Sequence, residues 1–136
     1  MSQMSDYLES QIRAHIFRTA TFTKPSQLWI ALYTSSPTDA DTGTEVTGGS
    51  YNRVQLNPAD ANWTAVSGTN GTTDNASAIT FPAPTANWGQ ITHVGIRDAN
   101  PAGNLLIWGP LNTPKTVNNG DPAPSFAIGA LAVTFA

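Results

Sequence analysis

The chain has 136 residues, a net charge of −3 and no cysteine, and charged residues make up only 11% of it. This length is typical of one domain with its own core, so we predict a single domain spanning residues 1–136. The lack of cysteine excludes disulfides and thiolate chemistry. The lack of a basic patch argues against nucleic acid or an anionic membrane as a partner. No apolar run reaches the roughly 18 residues that cross a bilayer.

The low charge leaves a surface of small and neutral polar side chains. Soluble domains that stand alone commonly carry about 25% charged residues. A surface with few charges loses little when it is desolvated, so this composition favours a domain that packs against other proteins. The neutral surface of a secreted-type β-protein is the alternative. However, the polar N-terminal stretch does not resemble a signal peptide, so we do not expect secretion by that route.

Segment 5–18 is the best helix candidate. The apolar residues that recur every four positions, and would share one helix face, are Met4, Leu8, Ile12 and Ile16. Ser5 is a suitable N-cap, and the β-branched residues before Pro25, followed by Pro25 itself, end the pattern. We therefore predict one amphipathic helix near the N-terminus.

Short apolar segments follow, separated by clusters of Pro, Gly, Asn and Asp. The predicted strands are 28–33, 51–56, 76–81, 90–98, 105–108, 115–117 and 126–135. Strict alternation in segment 90–98 would place Ile91 and Val94 on opposite faces. In the last segment the apolar phase changes at Gly129–Ala130, which predicts a β-bulge. This pattern predicts an all-β fold, a jelly-roll-like antiparallel β-sandwich with one N-terminal amphipathic α-helix.

The connector at 37–49 raises the question of a calcium site. Its acidic residues are Asp39, Asp41 and Glu45. An EF-hand loop needs an oxygen ligand at position 5 and glycine at position 6, but counting from Asp39 these are Gly43 and Thr44. The pattern therefore fails and a solvated turn is expected, although a looser oxygen cage stays open as an alternative.

The sequence offers weak support for catalysis. No G-x-S-x-G motif occurs, and the two histidines, His15 in the predicted helix and His93 in a predicted strand, do not have zinc-ligand spacing. No glycine-rich phosphate loop precedes the helix. We predict no enzymatic activity, no cofactor and no metal site. The enzyme alternative would require a carboxylate beside His93 in a cleft.

The four tryptophans fall into two groups. Trp29 and Trp108 lie in apolar runs and are expected in the core, whereas Trp63 and Trp88 lie in polar loops. An exposed loop tryptophan is a candidate for contact with a partner protein or a host glycan. The alternative is a loop tryptophan folded over the end of the sandwich.

Several motifs occur in order along most of the chain. They are MSDYLE at 4–9, LWIALYT at 28–34, GTEVTGGSY at 43–51, FPA at 81–83, WGQITHVGI at 88–96, GNLL at 103–106, TPKTV at 113–117 and G-x-L-x-V at 129–133. Together they resemble a family of small tailed-phage virion proteins, often labelled phage tail fibre proteins. The resemblance implies a structural role, brings no catalytic residues, and makes 43–51 a connector between strands. The prolines of 121–124 depart from the family pattern.

We therefore predict a non-enzymatic bacteriophage virion structural protein, assembled in the bacterial cytoplasm and located in the virion. The low charge favours a capsid-decorating or cement protein that binds across capsid subunits. A tail-fibre or baseplate-associated protein that contributes to host attachment is the first alternative, and a glycan-binding module is the second. Expected partners are the major capsid protein or tail proteins, with a homodimer or homotrimer at a symmetry axis. The candidate contact residues are Leu8, Ile12, Trp63, Trp88, Asp121, Pro122 and Pro124.

Overall fold

The structure is a computed structural model that describes residues 2–65 and 71–135. Within these residues the elements, in chain order, are β1 (Gln3–Met4), α1 (Asp6–Phe17), β2 (Trp29–Tyr33), β3 (Val54–Gln55), β4 (Thr72–Asp74), β5 (Ile79–Thr80), β6 (Gly89–Arg97), β7 (Leu105–Val117), β8 (Ser125–Phe126) and β9 (Ala132–Thr134).

Two β-layers enclose the main core. One layer is an antiparallel sheet with the strand order β1-β7-β6-β2-β3, and the other consists of two short antiparallel pairs, β4–β9 and β5–β8. Buried side chains from both layers meet between them, including Leu32 and Ile96 from the large sheet and Ile79 and Leu131 from the small pairs. The predicted all-β sandwich with an N-terminal helix is therefore confirmed.

A smaller cluster lies on the other face of the large sheet. Its buried members are Ala31, Tyr33 and Leu105, and Trp108 packs against them. Gly95 of β6 permits this packing, because a Cβ there would lie 2.8 Å from side-chain atoms of both Tyr33 and Leu105. The second face of the sheet is therefore packed closely around a position that only glycine fits.

Helix α1 begins at a side-chain cap. Ser5 Oγ accepts a hydrogen bond from the Leu8 N–H at 3.2 Å and donates to the Leu105 carbonyl at 2.5 Å. Leu8 is buried, but every residue from His15 to Phe17 is exposed. The predicted helix is confirmed, and only its first half packs on the sheet. Across the described residues, neither α1 nor any other helical segment is long and apolar enough to span a membrane.

Two details of strand phase differ from the sequence prediction. The register of β6 against β7 shifts between Ile91 and His93, so Ile91 joins Val94 in the main core instead of facing away from it. Segment 126–135 is not one bulged strand, because a turn closed by the Ala130 N–H and the Ala127 carbonyl at 3.0 Å divides it into β8 and β9. The predicted β-bulge at Gly129 is therefore wrong, and a register irregularity occurs in β6 instead.

Two strand lengths also differ. The predicted strands 105–108 and 115–117 belong to one 13-residue strand, β7, whose irregular middle lies opposite Thr92. Strand β4 was not predicted, because its sequence Thr-Thr-Asp is polar and lacks an apolar alternation. Both differences come from pairing between segments that are distant in sequence.

Candidate functional site: clamped loops and an apolar groove

Arg53 anchors the acidic connector 37–49. Its Nε and Nη2 donate to the two carboxylate oxygens of Glu45 at 2.8 and 2.7 Å. Its Nη1 donates to the carbonyls of Ala99 and Ala102 at 2.7 and 2.6 Å. Arg53 is only 9% exposed, so this bidentate pair works in a partly desolvated setting where charge-assisted hydrogen bonds are strong. The pair therefore fixes connector 37–49 to connector 98–104.

Arg97 makes a second clamp between the same two connectors. Its two terminal nitrogens donate to the carboxylate oxygens of Asp41 at 2.8 and 2.7 Å. They also donate to the Tyr33 hydroxyl at 2.9 Å and to the Gly103 carbonyl at 2.8 Å. Asp41 has a φ of 57°, in the left-handed region that non-glycine residues seldom adopt. The clamp therefore holds an uncommon backbone conformation in place.

The three acids of connector 37–49 point to different partners. Asp39 accepts a hydrogen bond from Trp108 Nε1 at 3.0 Å, while Asp41 and Glu45 face the two arginines. In the part of the chain that the structure describes, no three histidine or carboxylate side chains lie close enough to share a metal ion. The acids of this connector therefore act as anchors for the loop.

Tyr51 extends the first clamp into the core. Its hydroxyl donates to Glu45 Oε1 at 3.0 Å and accepts from the Leu32 N–H at 2.9 Å. Burial raises the pKa of Tyr51 above its ordinary value of 10.0, and the neighbouring Glu45 adds to that shift. The neutral phenol is therefore the form that the fold requires.

We expect this phenol to make the protein less stable at alkaline pH. Above pH 10.0 the unfolded chain loses the Tyr51 proton, whereas the folded chain retains it, so the unfolded state gains stability as the pH rises. Urea unfolding between about pH 8 and about pH 11 should show a shallower loss for Tyr51→Phe than for the wild type. Tyr33, whose pKa burial also raises, should keep part of the slope in the variant. Equal slopes would contradict this role of Tyr51.

His93 occupies a packed position on β6. Its Nδ1 shares a hydrogen bond with the Thr92 hydroxyl at 2.7 Å, and its ring lies against Trp108 with a centroid separation of 5.9 Å. Burial lowers the pKa of His93. His93 therefore packs against Trp108 on the second face of the sheet.

Trp88 is buried, so its interpretation as an exposed loop residue is wrong. It is 5% exposed, its indole N–H donates to the Gly49 carbonyl at 2.9 Å, and its ring packs edge-on against Tyr51. Gly49 has a φ of +54°, and a Cβ there would lie 2.9 Å from the indole nitrogen. The chain therefore folds its 48–51 turn over Trp88, which becomes part of the main core.

Two other candidate contact residues are buried by the fold. Leu8 is 6% exposed beneath α1. Pro124 is buried, and its carbonyl accepts the Phe81 N–H at 2.8 Å beside the β5–β8 pair. Both side chains therefore contribute to packing within the chain.

The remaining candidates lie on separate elements and do not form one patch. Ile12 is half-buried on α1, and Trp63 is half-buried against the main core. Asp121 accepts the Asn118 N–H at 2.8 Å and so closes its own turn, while Pro122 beside it is exposed. The surface available from the predicted set is therefore small and scattered.

An apolar groove opens between the two β-layers, with a volume of about 510 Å³. Several apolar residues of its lining are only half-buried, so the groove reaches solvent; they are Ile107, Trp108, Leu111, Phe126 and Val133. Among the described residues that line it, Lys115 is the one with a charge. The groove lies on the main-core face of the large sheet, whereas the Arg97 clamp contacts Tyr33 on the second face.

Sequence reasoning missed both the clamps and the groove. One available signal was charge, because the chain has only six basic residues and Arg97 falls in a predicted strand directly after the apolar Ile96. A charged side chain in such a position is usually paired with an opposite charge when it is buried. The groove had no such signal, since its lining comes from segments that are distant in sequence.

The chain is a β-sandwich domain in which two connectors are tied together by arginine hydrogen bonds. A protein-family model described as Podophage GP4 fiber I protein gp80 matches residues 3–134. The chain therefore belongs to this family, and it is a bacteriophage virion structural protein. This confirms the resemblance to phage tail-fibre proteins. A search of curated proteins finds no match.

Proposed function

We propose that the chain is a component of the phage tail fibre, or of the tail structure that carries the fibre, and acts through surface contacts. The observation that carries this proposal is the match to a fibre-protein family over residues 3–134. The capsid-cement role rests on low charge alone, and low charge suits a tail-attached module equally well. The tail-fibre role is therefore the better-supported of the two.

The two clamped connectors are our candidate for the contact surface. Arg53 and Arg97 tie connectors 37–49 and 98–104 together before any partner binds. A surface that is already ordered loses little conformational entropy on binding, which favours affinity. This geometry supports a role in holding a neighbouring virion protein or in contacting the host surface.

The charge of this surface indicates the kind of partner. The acids Asp41 and Glu45 are already paired with arginines, while Asp39 and Asp98 accept hydrogen bonds from the neutral donors Trp108 and Asn104. Other exposed side chains nearby are neutral, such as Thr47 and Asn52. A polar surface with few charges, of which the unpaired ones are acidic, suits another protein or an uncharged host structure better than a polyanion. The glycan-stacking role suggested for Trp88 has no support, because that side chain is buried.

The number of copies in purified virions tests this proposal. Quantitative mass spectrometry against the major capsid protein should give between three and a few tens of copies, on the order expected for a symmetric tail assembly. A major tail protein measured in the same sample provides the internal control. A count on the order of hundreds, scaling with the capsid lattice, would overturn the tail-fibre role in favour of a cement protein.

A further inference from the structure

The end of α1 carries two exposed apolar side chains that the fold leaves uncovered. Ile16 is 63% exposed and Phe17 is 78% exposed, and we call this pair the helix tip. The helix has 12 residues, and Leu8 is the one it buries. Isolated helices shorter than about 12–15 residues are marginal in water, and most helices gain stability from packing an apolar face. We therefore expect a partner to cover the helix tip, because packing there would stabilise the second half of α1.

The apolar groove has the size and lining to receive such a pair of side chains. Its volume is about 510 Å³. A cavity of roughly 150 Å³ lined by aliphatic side chains is enough to hold one benzene molecule, so the groove has room for the Phe17 ring and the Ile16 side chain together. The half-buried side chains Leu111 and Phe126 would lose their remaining solvent contact on such binding.

The charges around both surfaces are compatible with this contact. The groove lining contains no acid and one cation, Lys115, whose aliphatic stem can lie on apolar surface while its ammonium group stays in water. The carbonyl groups at the end of α1 carry partial negative charge, which a nearby ammonium stabilises. Arg18, which follows the helix tip, is exposed and can remain in solvent.

We propose that the helix tip of one copy docks into the apolar groove of a second copy of this chain. The contact joins two different surfaces, so repeating it generates a ring or an open filament. One aromatic side chain buries about 150–250 Å², which is far below the roughly 1,200 Å² of a stable two-body interface. The contact is therefore weak between two free copies and gains strength where the ring closes or another virion protein holds the copies together. This inference goes beyond the proposed tail-fibre role and does not depend on it.

Because the chain has no cysteine, one introduced cysteine gives a single defined site for cross-linking. The Arg18→Cys variant, which keeps the helix tip, is converted to its mixed disulfide with thionitrobenzoate. It is then mixed at roughly 0.1 mM with the Thr113→Cys variant, whose new thiol lies on the groove lining. The thiolate of the second variant attacks the protein sulfur of the first, forming the inter-copy disulfide and releasing coloured thionitrobenzoate. In the docked pair the thiol has an effective concentration in the millimolar range, so a dissociation constant of about 0.1 mM makes the reaction about tenfold faster than with a distant thiol.

Two matched controls decide the result. The Asp60→Cys variant supplies an exposed thiol at a position outside the groove lining. Adding Phe17→Asp to Arg18→Cys removes the helix tip at an exposed position where the fold is expected to survive, which circular dichroism checks. The proposal requires Thr113→Cys to react faster than Asp60→Cys with the activated Arg18→Cys variant. It also requires this rate difference to disappear when that variant carries Phe17→Asp. Equal rates for the two thiols, or a rate that Phe17→Asp leaves unchanged, would overturn it.

Discussion

Replacing Arg53 by alanine is expected to lower the free energy of unfolding by about 3–5 kcal/mol, the typical result of removing one partner from a buried ion pair. The variant leaves the Glu45 carboxylate without its counter-charge, although that side chain is only 21% exposed. It also removes the donor that serves the carbonyls of Ala99 and Ala102. Urea unfolding at neutral pH, followed by tryptophan fluorescence, measures the change.

Arg13→Ala is the matched control for this variant. Arg13 is exposed on α1 and has no ion pair among the described residues. Its replacement removes the same charge and should change stability by no more than about 0.5 kcal/mol. If Arg53→Ala proved as mild as this control, the clamp would not be what fixes the two connectors.

A double-mutant cycle separates the ion pair from the carbonyl contacts. Glu45→Ala should be strongly destabilising alone, because it leaves the buried guanidinium unpaired. In the Arg53→Ala background it should be much milder, since the pair has already been lost. A coupling energy of about 0.5–3 kcal/mol is expected for residues in such contact. The destabilisation that remains in the double variant then reports on the carbonyls of Ala99 and Ala102 together with the Tyr51 hydroxyl, which loses its Glu45 acceptor.

The parts of the fold that sequence predicted well are those fixed by local pattern. The helix follows from apolar residues at intervals of four, together with the Ser5 cap. Strands β2 and β6 follow from apolar runs with clear boundaries, at 28–33 and 90–98. In each case the neighbouring residues along the chain were enough to favour one structure.

The parts that sequence did not predict depend on pairing across long distances. Strand β4 is polar, and it forms because Thr72–Asp74 pairs with β9 at the other end of the chain. The turn that divides 126–135 ends at Leu131, whose N–H and carbonyl are both bonded to Asn75. No local signal identifies such a partner, so a phase change in the apolar pattern was interpreted as a bulge.

The same limit applies to the candidate site. Trp88 lies between polar residues in the sequence, and this local context favours exposure. Its burial depends on the 48–51 turn, which closes over it and accepts its indole hydrogen bond. Arg53 and Glu45 are only eight positions apart, but their role becomes visible only when connector 98–104 reaches Arg53. Contact surfaces of this kind are properties of the folded chain.

The two surfaces that we propose for contact use different parts of the large sheet. On its second face, Tyr33 and Arg97 belong to a network of charge-assisted hydrogen bonds that holds the connectors rigid. On its main-core face, the layers stay open and leave the groove accessible. A rigid surface suits recognition, and an open apolar groove suits assembly. The two proposed contacts would therefore not compete for the same residues of the sheet.

Asn75 joins the short strand pairs into the sandwich. It is 0% exposed, and its side chain donates to the carbonyls of Ser77 and Ala127 at 2.8 and 3.0 Å. Its Oδ1 accepts the Leu131 N–H at 2.8 Å. The amide therefore satisfies three backbone groups from two segments that are 50 or more positions apart.

Replacing Asn75 by alanine is expected to destabilise the protein by about 3 kcal/mol or more, because each buried backbone group left without a partner costs about 1–3 kcal/mol. Asn112→Ala, at an exposed asparagine of β7, should stay within about 0.5 kcal/mol in the same urea titration. Asn75→Asp keeps the acceptor for Leu131 but turns an oxygen toward the carbonyls of Ser77 and Ala127. It should therefore be at least as destabilising as alanine at neutral pH. If the aspartate variant were close to wild type, the two donated hydrogen bonds would not be what holds the strand pairs together.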